Sequence, residues 1–240
     1  MSAGTERDEQ ARLHAWPGVS GARPIAAGFH PLGLQRGRDG LISVPPGYGP
    51  DAPAPLLVLL HGAGADAACL LPGFQAQADA AGLLVLAPDS RGTTWDMILG
   101  QWGPDIAFLD AALEGVFATY AVRPDQIAIG GFSDGASYAL SLGLANGDLF
   151  QHILAFSPGF AAPPAQHGAP RIFMSHGTRD DVLPIDRCSR PLRRRLQRAG
   201  YDVRYCEFEG EHTVPAAIMA DGFRWWLEGN EPSCAAAVMH

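Results

Sequence analysis

Short apolar runs recur along the chain at Gly28–Leu34, Leu41–Pro45, Leu56–Leu60, Leu83–Ala87, Gln126–Gly130, His152–Ser157, Arg171–Ser175 and Val203–Phe208. The first two flank Arg38-Asp39-Gly40, which reads as a hairpin turn. The other six are short and apolar on both faces, as strands covered by helices on each side are expected to be. Between them the spacing changes to that of helices. Pro72–Ala81 is Ala-rich, and Pro104–Tyr120 carries Ile106, Leu109, Leu113, Val116, Phe117 and Tyr120 on one face. Asp134–Asn146, Leu192–Ala199 and Pro215–Leu227 complete the series. This alternation predicts an α/β domain with a mostly parallel, eight-stranded, doubly wound sheet, an N-terminal antiparallel hairpin and helices on both faces.

Residues 1–24 are mixed polar, Gly and Pro, and read as a loose arm with a short helix near Glu9–His14. Residues 231–240 read as a weak tail. No internal repeat or linker interrupts residues 25–230, which are expected to form one domain.

Composition narrows the chemistry. The chain has 240 residues and a formal net charge of −8. All 17 of its basic residues are Arg. Without Lys there is no Schiff-base amine, no pyridoxal-phosphate anchor and no P-loop cation. The acidic balance argues against nucleic-acid binding. Arg187, Arg190, Arg193, Arg194, Arg195 and Arg198 cluster, and read as the solvated face of a short helix. No stretch is long and apolar enough to span a bilayer, and the polar N-terminus is not a secretory signal. Cys69, Cys188, Cys206 and Cys234 lack zinc-site spacing and read as free thiols. Together these give a cytoplasmic expectation with no stable membrane insertion.

The sharpest local signal is Gly131-Phe132-Ser133-Asp134-Gly135, flanked by a strand pattern and a helix pattern. A sharp strand-to-helix turn exposes the Ser133 hydroxyl, and small residues two positions away on each side let the backbone fold back. A serine nucleophile needs a base, and the best-placed histidine is His212, in a glycine-containing loop after the last strand. The base needs an acid. The loop from His176 to Pro184 supplies Asp180, with Asp181 as the alternative and Asp186 farther along. The order Ser133, Asp180, His212 is that expected of an α/β-hydrolase. Backbone donors for an oxyanion are expected from Asp134, after the nucleophile, and from Ala63 in the loop after the third strand. Gly62 and Gly64 are alternatives to Ala63, and His61 reads as a residue that holds this loop. Leu70, Trp95, Trp102, Val182 and Val214 are expected to line an apolar pocket beside the nucleophile.

The segments Leu60–Asp66, Arg91–Asp96, Gly131–Gly135, His176–Asp180 and Gly210–His212, in order between about Gly28 and Leu227, resemble the phospholipase/carboxylesterase family of α/β-hydrolases, which includes acyl-protein thioesterase-like enzymes. The resemblance implies a serine esterase with no metal or organic cofactor. It carries nucleophile, acid and base to Ser133, Asp180 and His212, and the oxyanion donors to Ala63 and Asp134. Thioesterase-like members usually have Gln where Asp134 stands and a bulkier Leu where Ala63 stands. The reading is therefore a carboxylesterase acting on short- to medium-chain, small-molecule esters. The rivals are a thioesterase, lysophospholipase or polyester depolymerase with the same triad, and a non-catalytic ligand receptor on the same scaffold. A homodimer is left open.

Overall fold

The computed structural model describes residues 9–18, 21 and 25–229. Eight strands form one sheet: β1 (Gly28–Pro31), β2 (Gly40–Val44), β3 (Ala54–Leu60), β4 (Leu84–Pro88), β5 (Val122–Phe132), β6 (His152–Phe156), β7 (Arg171–Gly177) and β8 (Val203–Phe208). Their order across the sheet is β1-β2-β4-β3-β5-β6-β7-β8. β1 and β2 pair antiparallel with each other, and β2 pairs antiparallel with β4. The remaining neighbours are parallel. The mostly parallel eight-stranded sheet with an N-terminal antiparallel pair, expected from the hydrophobic pattern, is thus the one observed.

Among the described residues, five helices cover the sheet: α1 (Ala67–Ala80), α2 (Pro104–Thr119), α3 (Asp134–Ala145), α4 (Ser189–Arg198) and α5 (Ala216–Glu228). The strands alternate faces along their length. Leu56, Val58 and Leu60 of β3 join α2, α3 and α4 in one core, while Leu57 and Leu59 join α1 and α5 in the other. Both cores need apolar residues, so the buried stretches of the central strands are apolar on both faces, as in Leu56–Leu60 of β3.

Several boundaries depart from expectation. α1 begins at Ala67, with Pro72 inside it, because Asp66 caps the helix by accepting from the Cys69 amide at 2.8 Å. A side-chain cap outweighs the one hydrogen bond that Pro72 removes. β1 stops at Pro31 because the Asp39 carboxylate takes the amides of Gly33, Leu34 and Gln35 into a loop. The β1–β2 connection is therefore longer than the expected turn. The described part of the N-terminal arm is not loose. The Arg12 guanidinium pairs with Asp148, Asn146 bonds Ala11 and Leu13, and Asp110 accepts from His14 and Ala15. The expected tail at 231–240 lies outside the described residues.

The chain departs from β3 to opposite sides of the sheet. β4 lies on one side of it, and β5, after α2 has crossed over, on the other. In open α/β sheets such a switch point leaves a crevice at the C-terminal strand ends, where ligands bind. No described helix is long and apolar enough to cross a membrane.

Candidate active site

β5 ends at Phe132, and α3 begins at Asp134. The single residue between them, Ser133, has φ 59° and ψ −121°. A non-glycine residue with positive φ is strained, and such strain collects at functional sites. The flanking glycines are obligatory. A Cβ on Gly131 would lie 2.5 Å from the Gly135 carbonyl and 2.7 Å from the Leu60 oxygen. A Cβ on Gly135 would lie 2.1 Å from the Leu60 oxygen and 2.5 Å from the His61 oxygen. The elbow therefore presses directly onto the end of β3, where Leu60 and Gly131 are registered partners.

Two loops bring the partners. β7 leads to Asp180, and β8 leads to His212. The loops interlock: the Thr178 amide donates to the Phe208 oxygen at 2.8 Å, and Arg179 N–H to the Gly210 oxygen at 2.9 Å. Gly177 has no room for a side chain, since a Cβ there would meet the Gly210 and Glu211 oxygens at 2.4 Å.

The result is a continuous hydrogen-bond relay. His212 Nε2 lies 2.9 Å from Ser133 Oγ, and His212 Nδ1 lies 2.6 Å from Asp180 Oδ2. A carboxylate accepts the Nδ1 proton, so Nε2 is left to accept from the serine hydroxyl. Asp180 is itself fixed. Its Oδ1 accepts from the Val182 and Leu183 amides at 3.1 and 2.7 Å. Asp181 is exposed and takes no part in this relay. Sequence reasoning missed His176. It is buried, donates from Nε2 to the Leu183 oxygen at 2.7 Å, and sits 3.1 Å from Asp180 Oδ2. Burial holds its pKa below the ordinary histidine value, which keeps it neutral as a hydrogen-bond donor. The only sequence signal for it was its place one residue before Gly177.

The loop after β3 passes over Ser133. A Cβ on Gly62 would lie 3.3 Å from Ser133 Cβ. Gly64 donates its amide to the Thr93 oxygen at 2.7 Å, and Ala65 donates to the Gly62 oxygen. The Ser133 amide is likewise engaged, with the Phe156 oxygen at 3.0 Å. Gly64 thus drops out as an alternative oxyanion donor, and Ala63 and Gly62 both line the cleft beside Ser133. His61 holds the loop from beneath. Its Nδ1 donates to the Gly62 oxygen and its Nε2 accepts from the Ser90 amide. Its pKa is lowered, first by burial. Arg38 ties Ser90 to the Ala65 oxygen from the far side.

The cleft at the relay has a volume of about 370 Å³ and is lined by Gly62, Ala63, Ala65, Cys69, Leu70, Phe132, Ser133, Val182 and His212. Leu70 and Val182 are where the sequence placed them. Three expected lining residues are not. Trp95 is fully buried; it donates from Nε1 to the His61 oxygen at 2.9 Å and stacks on Tyr138. Val214 packs into the core beside α5. Trp102 lines a separate, wider groove of about 820 Å³ with Phe160, Pro163 and Pro164. The physical reason is clearest for Trp95. A tryptophan near a glycine-rich loop is as useful for supporting that loop as for touching a ligand, and spacing does not separate the two. Among the described residues, no group of three His, Cys, Asp or Glu side chains converges as a metal site requires.

Comparison with known proteins agrees with this geometry. The phospholipase/carboxylesterase family model matches residues 106–222, which hold Ser133, Asp180 and His212. Feruloyl esterase C of Emericella nidulans is 27% identical over 186 residues, covering 72% of this chain and 67% of that enzyme. Putative esterase NocK of Nocardia uniformis is 28% identical over 153 residues, covering 57% of this chain and 44% of that protein. Among solved structures, esterase PE8 superposes with a TM-score of 0.64 at 26% identity, over 79% of this chain and 97% of that one. The Bacillus cereus carboxylesterase shares the fold, with a TM-score of 0.59 at 19% identity over 80% of this chain and 95% of that one. Fold, assembled relay and relatives together make the chain a carboxylic-ester hydrolase, similar over residues 106–222 to the phospholipase/carboxylesterase family.

Proposed function

We propose that this α/β-hydrolase cleaves short- to medium-chain carboxylic esters through an acyl-enzyme on Ser133. His212 takes the Ser133 proton as the hydroxyl attacks the ester carbonyl. Asp180 orients His212 and stabilises its charged form. The Ala63 and Asp134 amides receive the oxyanion at the N-terminus of α3, where the helix dipole favours negative charge. His212 then protonates the leaving alcohol, and water repeats the cycle on the acyl-enzyme.

The single observation that carries the reading is the relay itself. Ser133 is strained out of the helix into hydrogen-bond contact with His212, and His212 with Asp180. The cleft volume of about 370 Å³ lies at the small end of ligand sites, which favours compact acyl groups. Small aromatic acyl groups belong in the same test, because curated relatives are named feruloyl esterases.

The test is hydrolysis of p-nitrophenyl esters from acetate to palmitate, with methyl ferulate and an acyl thioester beside them. A peak at acetate to octanoate, abolished in Ser133→Ala, is the expected result. A peak at palmitate or on the thioester replaces it with a lipase-like or thioesterase role.

The cysteines bear on compartment. Cys69 and Cys188 are free thiols, whereas Cys206 is disulfide-bonded, which corrects the expectation of free thiols throughout. A disulfide at Cys206 favours an oxidising setting over the cytoplasm expected from the sequence. Acid-trapped protein from its native source, denatured without reductant, decides between them. A disulfide-bonded Cys206 supports the oxidising compartment, and a fully reduced chain returns the cytoplasmic reading.

A further inference from the structure

One segment, Ser90–Trp95, reaches both halves of the oxyanion site. The Thr93 oxygen accepts from Gly64 N–H at 2.7 Å, and Trp95 Nε1 donates to the His61 oxygen at 2.9 Å. Both contacts hold the loop that carries Ala63. The next bond goes to the other half. Thr94, only 8% exposed, donates from Oγ1 to Asp134 Oδ2 at 2.7 Å. Asp134 is the first residue of α3, and its amide is the donor on the elbow side.

We infer that Thr94 is a positioning residue that sets the spacing of the two oxyanion donors and holds the Asp134 carboxylate away from the oxyanion. This rests on the assignment of Ala63 and Asp134 as those donors. Two physical points support it. First, the donors follow different strand ends, and the Thr93–Thr94 pair bonds beside each of them, to the Gly64 amide next to Ala63 and to the Asp134 carboxylate. A preorganised donor loses most of its value when it is misaligned. Second, a carboxylate in the first turn of a helix is drawn to the same positive end that the oxyanion uses. Asp134 is only partly buried, so its side chain has room to turn toward the α3 amides. The Thr94 hydroxyl gives it a fixed partner on the opposite side. The Asp134 side chain thus stays beside the nucleophile, held by Thr94, without occupying the oxyanion position.

The experiment is a variant set assayed with p-nitrophenyl butyrate and with an aryl trifluoromethyl ketone, which forms a tetrahedral adduct with the serine. Thr94→Val keeps the shape and removes the hydroxyl. It is expected to lower kcat roughly 10–100-fold with KM within about threefold, and to weaken the ketone by the same factor as kcat/KM. Thr94→Ser keeps the hydroxyl and is expected to stay within about threefold of the parent. Asp134→Asn keeps an acceptor for Thr94 but removes the charge. In the Thr94→Val background it is expected to restore part of the lost kcat, since a neutral amide no longer competes for the oxyanion position.

The inference is overturned if Thr94→Val keeps its kcat, if its loss lies in KM or in melting temperature alone, or if Asp134→Asn gives no recovery. Ser133→Ala separates the two levels. If it abolishes activity while Thr94→Val changes nothing, the esterase reading stands and Thr94 is merely structural. If Ser133→Ala remains active, the underlying reading fails first.

Discussion

Gly135→Ala is the most severe small change the site allows. The added Cβ would sit 2.1 Å from the Leu60 oxygen and 2.5 Å from the His61 oxygen. Carbon–oxygen contacts settle near 3.3 Å even when attractive. The start of α3 must therefore move about 1 Å from the end of β3. The obstructing atoms are backbone in a strand buried on both faces, so no side-chain rotation relieves the clash. Overpacking of this kind costs about 3 kcal/mol. For a domain of this size that is a fall of roughly 6–12 °C in melting temperature. The chemical effect is larger. The same shift separates the Asp134 amide from Ala63 and lengthens the 2.9 Å contact between Ser133 and His212. A misplacement of about 1 Å costs on the order of 100-fold in rate. Gly159→Ala is the control. Its Cβ would meet the Leu183 side chain and Ser137 Oγ, each at 3.5 Å and both ordinary contacts, although the residue lies one hydrogen bond from α3. The assay is kcat/KM on p-nitrophenyl butyrate with thermal melting for both variants. A Gly135→Ala enzyme within twofold of the parent in both readouts would refute the packing account of the elbow.

Two further predictions follow from single contacts. Asp180→Asn leaves an amide that cannot fix the His212 tautomer, so kcat falls about 10⁴-fold, while exposed Asp181→Asn stays within a few-fold. Steady-state kinetics of the pair measures this, and equal losses would reassign the acid. On acidification, His152 weakens the fold. Burial, with Arg171 adding to it, lowers its pKa to about 4, under the rings of Trp225 and Trp226. The folded state therefore resists a proton that the unfolded state accepts near pH 6.5. This stabilising contribution is complete above pH 6.5 and is lost as pH falls toward 4. Full conversion gives ~3 kcal/mol, and solvent screening of a partly exposed ring reduces it to about 1–2 kcal/mol. Melting curves between pH 7 and 4.5 should show that slope flattened in His152→Phe.

The fold was legible because the β3–β8 runs carry apolar residues on both faces, and only a covered parallel sheet needs that. The Ser133 elbow was legible because its glycines are demanded by backbone contact, which leaves a mark at fixed spacing. The acid stayed ambiguous in the sequence between Asp180 and Asp181. Adjacent carboxylates differ only in where the chain turns, and the Val182 and Leu183 amides decide that. The supporting shell was not legible. Thr94 to Asp134, His176 to Asp180 and Arg38 to Ser90 join positions distant in sequence, and each residue alone resembles an ordinary loop residue. Trp95 shows the same limit from the other side. It was expected at the ligand, and it carries the loop that faces the ligand.

The central claim is that Ser133 becomes acylated. The most direct measurement mixes the protein with excess p-nitrophenyl butyrate, quenches in acid within milliseconds to seconds, and reads intact and peptide masses. One butyryl group per chain on the peptide containing Ser133, absent in Ser133→Ala and accumulating in His212→Gln only slowly, is the predicted result. Hydrolysis that proceeds at the parent rate in Ser133→Ala, or an acyl group found on another residue, would contradict it.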